Sequence, residues 1–164
     1  MKFTPKGFTL IELVLYVGIF SILVTVLSAI FASIVTVQLD AKAVSSVDQD
    51  GRYIMGKLFY DMRASSIASP SASGQQTSTL QLQRNSINYT YSLDSNSNLQ
   101  IKNLSTNEVN VLNGYDTKVT GLSFLRLGTG GSNDTIQLNY TVTSKISKPS
   151  GTESRSFQTT LGRQ

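Results

Sequence analysis

The stretch that decides the fold reads Gly7-Phe8-Thr9-Leu10-Ile11-Glu12-Leu13-Val14, and from Leu13 to Leu39 it continues as 27 consecutive residues without a charge. Leu, Ile, Val, Phe and Ala dominate that run. A helix rises about 1.5 Å per residue, so the run is roughly 40 Å long, against a bilayer hydrocarbon core of about 30 Å. The sequence therefore predicts a membrane-spanning helix with length to spare. Lys2 and Lys6 are the only cations before it, and a mostly polar chain follows from Asp40 and Lys42. Positive charge at the short end predicts a cytoplasmic N-terminus with the polar domain on the far side.

Three readings compete for this segment. A cleaved secretory signal fits poorly, because the apolar run is about twice the usual 7–15 residues and no small-residue cleavage site follows it. A plain single-span anchor fits the length but gives no use to Glu12. A carboxylate at the bilayer centre costs about 2.5–3.5 kcal/mol, and less near the interface. As an interfacial residue, Glu12 would merely mark the cytoplasmic edge. A functional reading needs a positive partner, and within helical reach the sequence offers only Lys6 or an N-terminal amine.

The residues Lys6-Gly7-Phe8-Thr9-Leu10-Ile11-Glu12 resemble the processing site of type IV pilins and type II secretion pseudopilins: a short basic leader ending in Gly, then Phe, then a Glu five residues into the mature chain, then the apolar run. The resemblance implies cleavage between Gly7 and Phe8 by a prepilin peptidase on the cytoplasmic face, followed by N-methylation of Phe8. It also implies that Glu12 makes the assembly contact, pairing with the N-terminal amine of a neighbouring subunit. Such an amine has a reference pKa of about 7.7–8 and stays able to carry charge after methylation. Two charges that are costly alone in lipid become tolerable together, and their pairing gives register to otherwise uniform apolar helices. Loss of Lys2 and Lys6 with the leader lowers the formal side-chain charge from +4 to +2.

Beyond residue 39 the helix should continue with a different character. Val44, Val47, Gly51, Ile54, Leu58 and Met62 fall on one stripe of an amphipathic helix over residues 40–67. Asp48, Gln49, Arg52, Lys57, Asp61 and Arg63 take the opposite, solvated face. Asp48–Arg52 and Lys57–Asp61 are spaced as i, i+4 pairs. No Pro falls between Pro5 and Pro70, so one rod is expected. Ala29 stands where major pilins usually carry a kinking Pro, which points to a minor pilin or pseudopilin. Gly51-Arg52-Tyr53-Ile54 and Leu58-Phe59-Tyr60-Asp61-Met62-Arg63-Ala64 resemble, more narrowly, the helix end of J-type pseudopilins and W-type minor pilins.

The remainder, residues 68–164, reads as a β-rich head. Residues 65–78 are rich in Ser, Ala and Gly and form a loop leaving the helix. Alternating segments follow at 79–84 and 87–93 around Asn85-Ser86, at 99–104 and 108–112 around residues 105–107, and then at 119–127, 135–143 and 154–161. Residues 128–133 and 148–152 connect the last three. A sheet with one face on the amphipathic helix makes an α+β, pilin-like fold. The domain plan is thus a leader (1–7), a transmembrane or filament-core helix (8–39), its amphipathic continuation (40–67) and the head.

Composition narrows the function. With no Cys and no His there is no disulfide framework, no thiolate or imidazole metal ligand and no Ser-His-Asp triad. Only 15% of residues are charged, at net +4, too sparse for a nucleic-acid module by composition. Asp94-Ser95-Asn96-Ser97-Asn98 opens like an EF-hand loop, but Leu99 and Ser105 replace its Gly and closing Glu, leaving a polar turn. The Gly-rich residues 128–133 lack the Lys-Ser/Thr of a P-loop. Asp48 and Asp50 face apart on a helix. Tyr89, Tyr91, Tyr115 and Tyr140 with Arg84, Arg126 and Lys145 could make a basic aromatic DNA surface, yet Tyr on strands is more often packing.

The expectation is a non-enzymatic subunit with no cofactor and no metal: a minor pilin or pseudopilin of a type IV pilus or type II secretion filament. Its partners would be a prepilin peptidase, other pilin-like subunits and the assembly machinery of the bacterial inner membrane. The alternative is a plainly anchored extracytoplasmic domain that binds a ligand or catalyses a reaction. For catalysis it offers only Asp94, Glu108, Asp116, Asp134 and Glu153, scattered along the head.

Overall fold

The computed structural model describes residues 7–128, 134–148 and 151–162. Helix α1, Leu10–Arg63, is 54 residues long. Its apolar part is long and apolar enough to cross a membrane. Hydroxyl side chains within that part do not break it. Ser21, Thr25, Ser28 and Thr36 each donate to the carbonyl four residues back, at 2.8–3.0 Å. Each hydroxyl is thereby satisfied inside its own helix. By contact the chain divides into two compact units, Met1–Gln38 and Leu39–Gln164. In the first, no described residue is buried.

In the second unit α1 presents a narrow buried stripe: Ala43, Val47, Gly51, Ile54, Leu58 and Met62. Two corrections to the expected helix follow. Ala43 replaces Val44 at the head of the stripe, since Ala43 is fully buried and Val44 is 44% exposed. Asp61, expected on the solvated face, is buried beside Met62. Lys57 does pair with Asp61, at 2.8 Å, but Asp48 meets Arg155 across the fold instead of Arg52 along the helix.

The helix also stops earlier than residue 67. Residues 66–69 become strand β1 (Ser66–Ser69), in which Ile67 sits opposite Leu82 and packs on the core. Nine strands follow α1 in all among the described residues: β1, β2 (Gln76–Thr77), β3 (Leu80–Arg84), β4 (Ile87–Leu93), β5 (Leu99–Asn103), β6 (Val109–Val111), β7 (Thr117–Arg126), β8 (Thr135–Ser144) and β9 (Ser154–Gly162). The predicted loop at 65–78 therefore carries two short strands. In place of one sheet there are two antiparallel ones, with orders β1-β3-β4-β5-β6 and β2-β7-β8-β9.

Local chemistry explains the turns. Asn85 and Ser86 both have positive φ, 51° and 64°, which makes the tight two-residue hairpin between β3 and β4. The register of β7 on β8 shifts between Thr120 and Ser123, and Gly121 takes φ +62° there, the left-handed residue a bulge requires. Burial alternates along β8 without interruption, so its inward residues Ile136, Leu138, Tyr140 and Val142 all join the core. That core is one cluster holding Val47, Ile54, Leu58 and Met62 of α1, Leu80, Leu82 and Tyr91 of the first sheet, and Phe124 and Leu138 of the second. Removing such side chains from water contributes about 1.5–3 kcal/mol each.

Candidate functional site

At the N-terminal end, Gly7, Phe8 and Thr9 lie outside any helix or strand and are exposed, with Phe8 at 77%. A Cβ added at Gly7 would meet nothing within 4 Å. The peptide bond joining Gly7 to Phe8 thus lies between two exposed residues, one residue ahead of the helix cap. Lys2 and Lys6, predicted to form the basic leader, lie outside the described residues.

Thr9 caps the helix. The Glu12 N–H donates to Thr9 Oγ1 at 3.3 Å, while the Thr9 N–H and Oγ1–H donate to Glu12 Oε2 at 3.1 and 3.2 Å. The first helical bond runs from the Leu13 N–H to the Thr9 carbonyl at 3.2 Å. This reciprocal pair is a capping box, and it satisfies two main-chain donors that a helix start would otherwise leave open. A carboxylate in the first turn also meets the positive end of the helix dipole. The Phe8 ring lies edge-on to Tyr16, with centroids 5.9 Å apart at 73°. Sequence reasoning sought only a cation for Glu12 and overlooked Thr9, although the Thr9-x-x-Glu12 spacing before an apolar run was a readable signal. Glu12 Oε1 carries no hydrogen bond among the described residues.

Several charged side chains of the second unit hold the fold together. Arg126 makes a bidentate, buried ion pair with Asp134, Nη2 lying 2.7 Å from each carboxylate oxygen. Its Nη1 donates to the carbonyls of Pro70 and Ser71 at 2.9 and 2.8 Å, tying the segment after β1 to β7. Asp61 accepts from Lys57 Nζ and from the Tyr91 hydroxyl. Burial and the neighbouring Asp61 push the Tyr91 phenol far above its ordinary pKa, so it remains a donor. Asp50 accepts from the Gly114 N–H at 2.7 Å and from the Thr117 hydroxyl, joining α1 to the start of β7.

The five acids weighed for catalysis do not converge. Asp94 accepts the Asn96 and Asn98 N–H groups, each at 2.8 Å, and the Asn98 side-chain amide at 2.9 Å. The Asn98 bonds hold its carboxyl below the usual carboxylate range. Both oxygens serve the turn between β4 and β5, as a polar hairpin loop requires. Glu108 meets Asn110, Asp116 meets Lys42 at 2.9 Å, and Glu153 meets Lys148 at 3.0 Å. The Glu153 carboxylate raises the Lys148 ammonium above its ordinary pKa. Among the described residues no three acidic side chains gather around a common point.

The remaining patterns resolve similarly. Asp48 and Asp50 point to different partners, Arg155 and the β7 start. Tyr91 and Tyr140 are interior, the latter donating to the Gly51 carbonyl at 2.6 Å, and Arg126 is locked to Asp134. That leaves no single surface made from the seven tyrosine and basic residues considered. The Gly-rich connection lies outside the described residues apart from Gly128. Comparison of the chain with protein-family models, with characterised proteins and with solved structures gives no match in any of the three.

Proposed function

We propose that this chain is a minor pilin or pseudopilin, a non-enzymatic structural subunit of a type IV pilus-like or type II secretion filament in the bacterial inner membrane. The observation that carries the reading is the N-terminal end. An exposed Gly7–Phe8 bond stands ahead of a capped helix, and up to residue 38 that helix exposes apolar side chains on every side. Cleavage there by a prepilin peptidase would leave the cap at Thr9 whole and free the Phe8 amine for methylation. The helix would stay in the membrane until the assembly machinery draws it into a filament, where the exposed Leu, Ile, Val and Phe side chains find other copies of the same surface. The head would face away from the cytoplasm.

The capping box sharpens the role given to Glu12. Its Oε2 is held by Thr9, so the carboxylate is fixed in direction, and Oε1 is left to accept an ammonium group from a neighbouring subunit. The same box also supports the plainer reading, in which Glu12 only caps a membrane anchor. Competition separates the two. Glu12→Gln keeps an oxygen for the Thr9 N–H but carries no charge, and it is co-expressed with wild type in cells that assemble filaments. The filament reading predicts that the variant inserts in the membrane yet enters filaments at least tenfold less often. Equal incorporation would leave capping as the whole role of Glu12.

A further inference from the structure

Two sheets have four edges, and three of them are short. Strands β1, β6 and β2 offer 4, 3 and 2 residues. The fourth edge is β9, with 9 residues, no Pro and no bulge. Its register on β8 runs unbroken from Thr135 opposite Gly162 to Thr143 opposite Ser154. Long edges in native proteins are normally blunted by charge, Pro, a bulge or a covering segment. The single charge in β9 is Arg155, and its guanidinium is tied down to Asp48.

The direction of the free main-chain groups follows from one bond. The Ser144 N–H donates to the Glu153 carbonyl at 2.8 Å, so the Glu153 main chain faces β8. Antiparallel alternation then turns the N–H and C=O of Ser154, Ser156, Gln158 and Thr160 outward. No strand lies beyond them among the described residues. Directly under this edge runs a trough of about 340 Å³ lined by Arg52, Met55, Gly56 and Phe59 of α1 and by Thr159 and Leu161 of β9. Gly56 leaves its floor open, since a Cβ there would meet nothing within 4 Å. Arg52 at the trough has no ion pair among the described residues.

We infer that the β9 edge and this trough form a strand-addition site for an extended, acidic segment of a partner protein. The main chain of the segment pairs with Ser156, Gln158 and Thr160. Side chains at alternate positions point down, so apolar ones fill the trough over Gly56, and a carboxylate at one end meets Arg52. The site lies wholly within the second unit, Leu39–Gln164, so it stands or falls separately from the filament reading.

The test uses the full chain in detergent micelles and a fluorescent seven-residue peptide alternating Val or Leu with Thr, with Glu at both ends. A second peptide carries Lys in place of Glu. Gln158→Pro removes one outward N–H while sparing the ladder to β8, because Pro is tolerated where the N–H faces solvent. Gly56→Leu fills the trough from a position with room for a side chain. The acidic peptide should bind at least tenfold more tightly than the Lys peptide, and each variant should weaken it at least tenfold. Hydrogen exchange at Ser156, Gln158 and Thr160 should slow when it binds. Failure of both peptides to bind, or binding unchanged by both variants, overturns the proposal. So does protection of those amides that rises with protein concentration and no peptide, which would assign the edge to a second copy of this chain.

Discussion

Helix α1 is written in two styles, and the contrast between residues 10–38 and 39–63 shows what burial requires of a sequence. In the first stretch, apolar residues occupy every side, and Leu23, Leu27, Ile30 and Phe31 all stay more than half exposed. In the second, the apolar residues are restricted to one stripe, and Ile54 and Leu58 are completely buried. Helix propensity is similar in both, so hydrogen bonding and local preference do not distinguish them. The difference lies in what each surface is made to meet. A one-sided stripe is completed by two sheets of the same chain, whereas an all-round apolar surface is completed only by lipid or other helices.

Breaking the head's interior should give the largest effect. Arg126→Met leaves Asp134 buried without its cation and frees the carbonyls of Pro70 and Ser71, so the head should lose about 3–5 kcal/mol in denaturant unfolding. Next comes a matched pair across the two halves of the helix. Leu58→Ala should lower head stability by about 2–5 kcal/mol through the cavity it opens. Leu23→Ala, the same chemical change, should leave the head's unfolding midpoint unmoved. A loss at Leu23 equal to that at Leu58 would erase the distinction between the halves.

Glycines sharpen the same contrast within the second half of the helix. A Cβ at Gly51 would run into the Phe157 ring, so Gly51→Ala should cost about 1–3 kcal/mol by overpacking. Gly56 faces open space, so Gly56→Ala should stabilise the helix by up to about 1 kcal/mol. At the N-terminal end, Thr9→Ala removes the cap and should destabilise the first turn by about 0.5–2 kcal/mol, read as faster amide exchange at Ile11 and Glu12. The smallest effect concerns pH. Because the folded pKa of Asp94 is depressed, its contribution is complete above the ordinary carboxylate range and fades as pH falls through its folded pKa. Asp94→Asn should flatten that part of the acid limb of the stability curve.

Much of this architecture was legible because it is local. Alternation over residues 87–93 and 135–143 reproduces β4 and β8 to within a residue, and Asn85-Ser86 announces its own turn. What escaped was non-local. Residues 66–69 carry little alternation and become a strand because Leu82 and its neighbours wait for them. The partition into two sheets depends on which strands meet across the core, which no window of sequence contains. Asp61 looked like a surface residue because its partner Tyr91 is 30 positions away. Ala43 lost the stripe to Val44 in the sequence because hydrophobicity was weighed above size, whereas the structure places the smaller side chain inside. At the candidate site the reverse holds: Thr9 and Glu12 are near neighbours, and their reciprocal bonding was open to reading from spacing alone.

The central claim is that proteolysis ahead of the Thr9 cap exposes an amine for Glu12 of a neighbouring subunit. Intact-mass and N-terminal sequencing of the chain, recovered from assembled filaments, tests this most directly. The account predicts a mature polypeptide lacking residues 1–7 and beginning at N-methylated Phe8. A chain in working filaments that still begins at Met1 would contradict it.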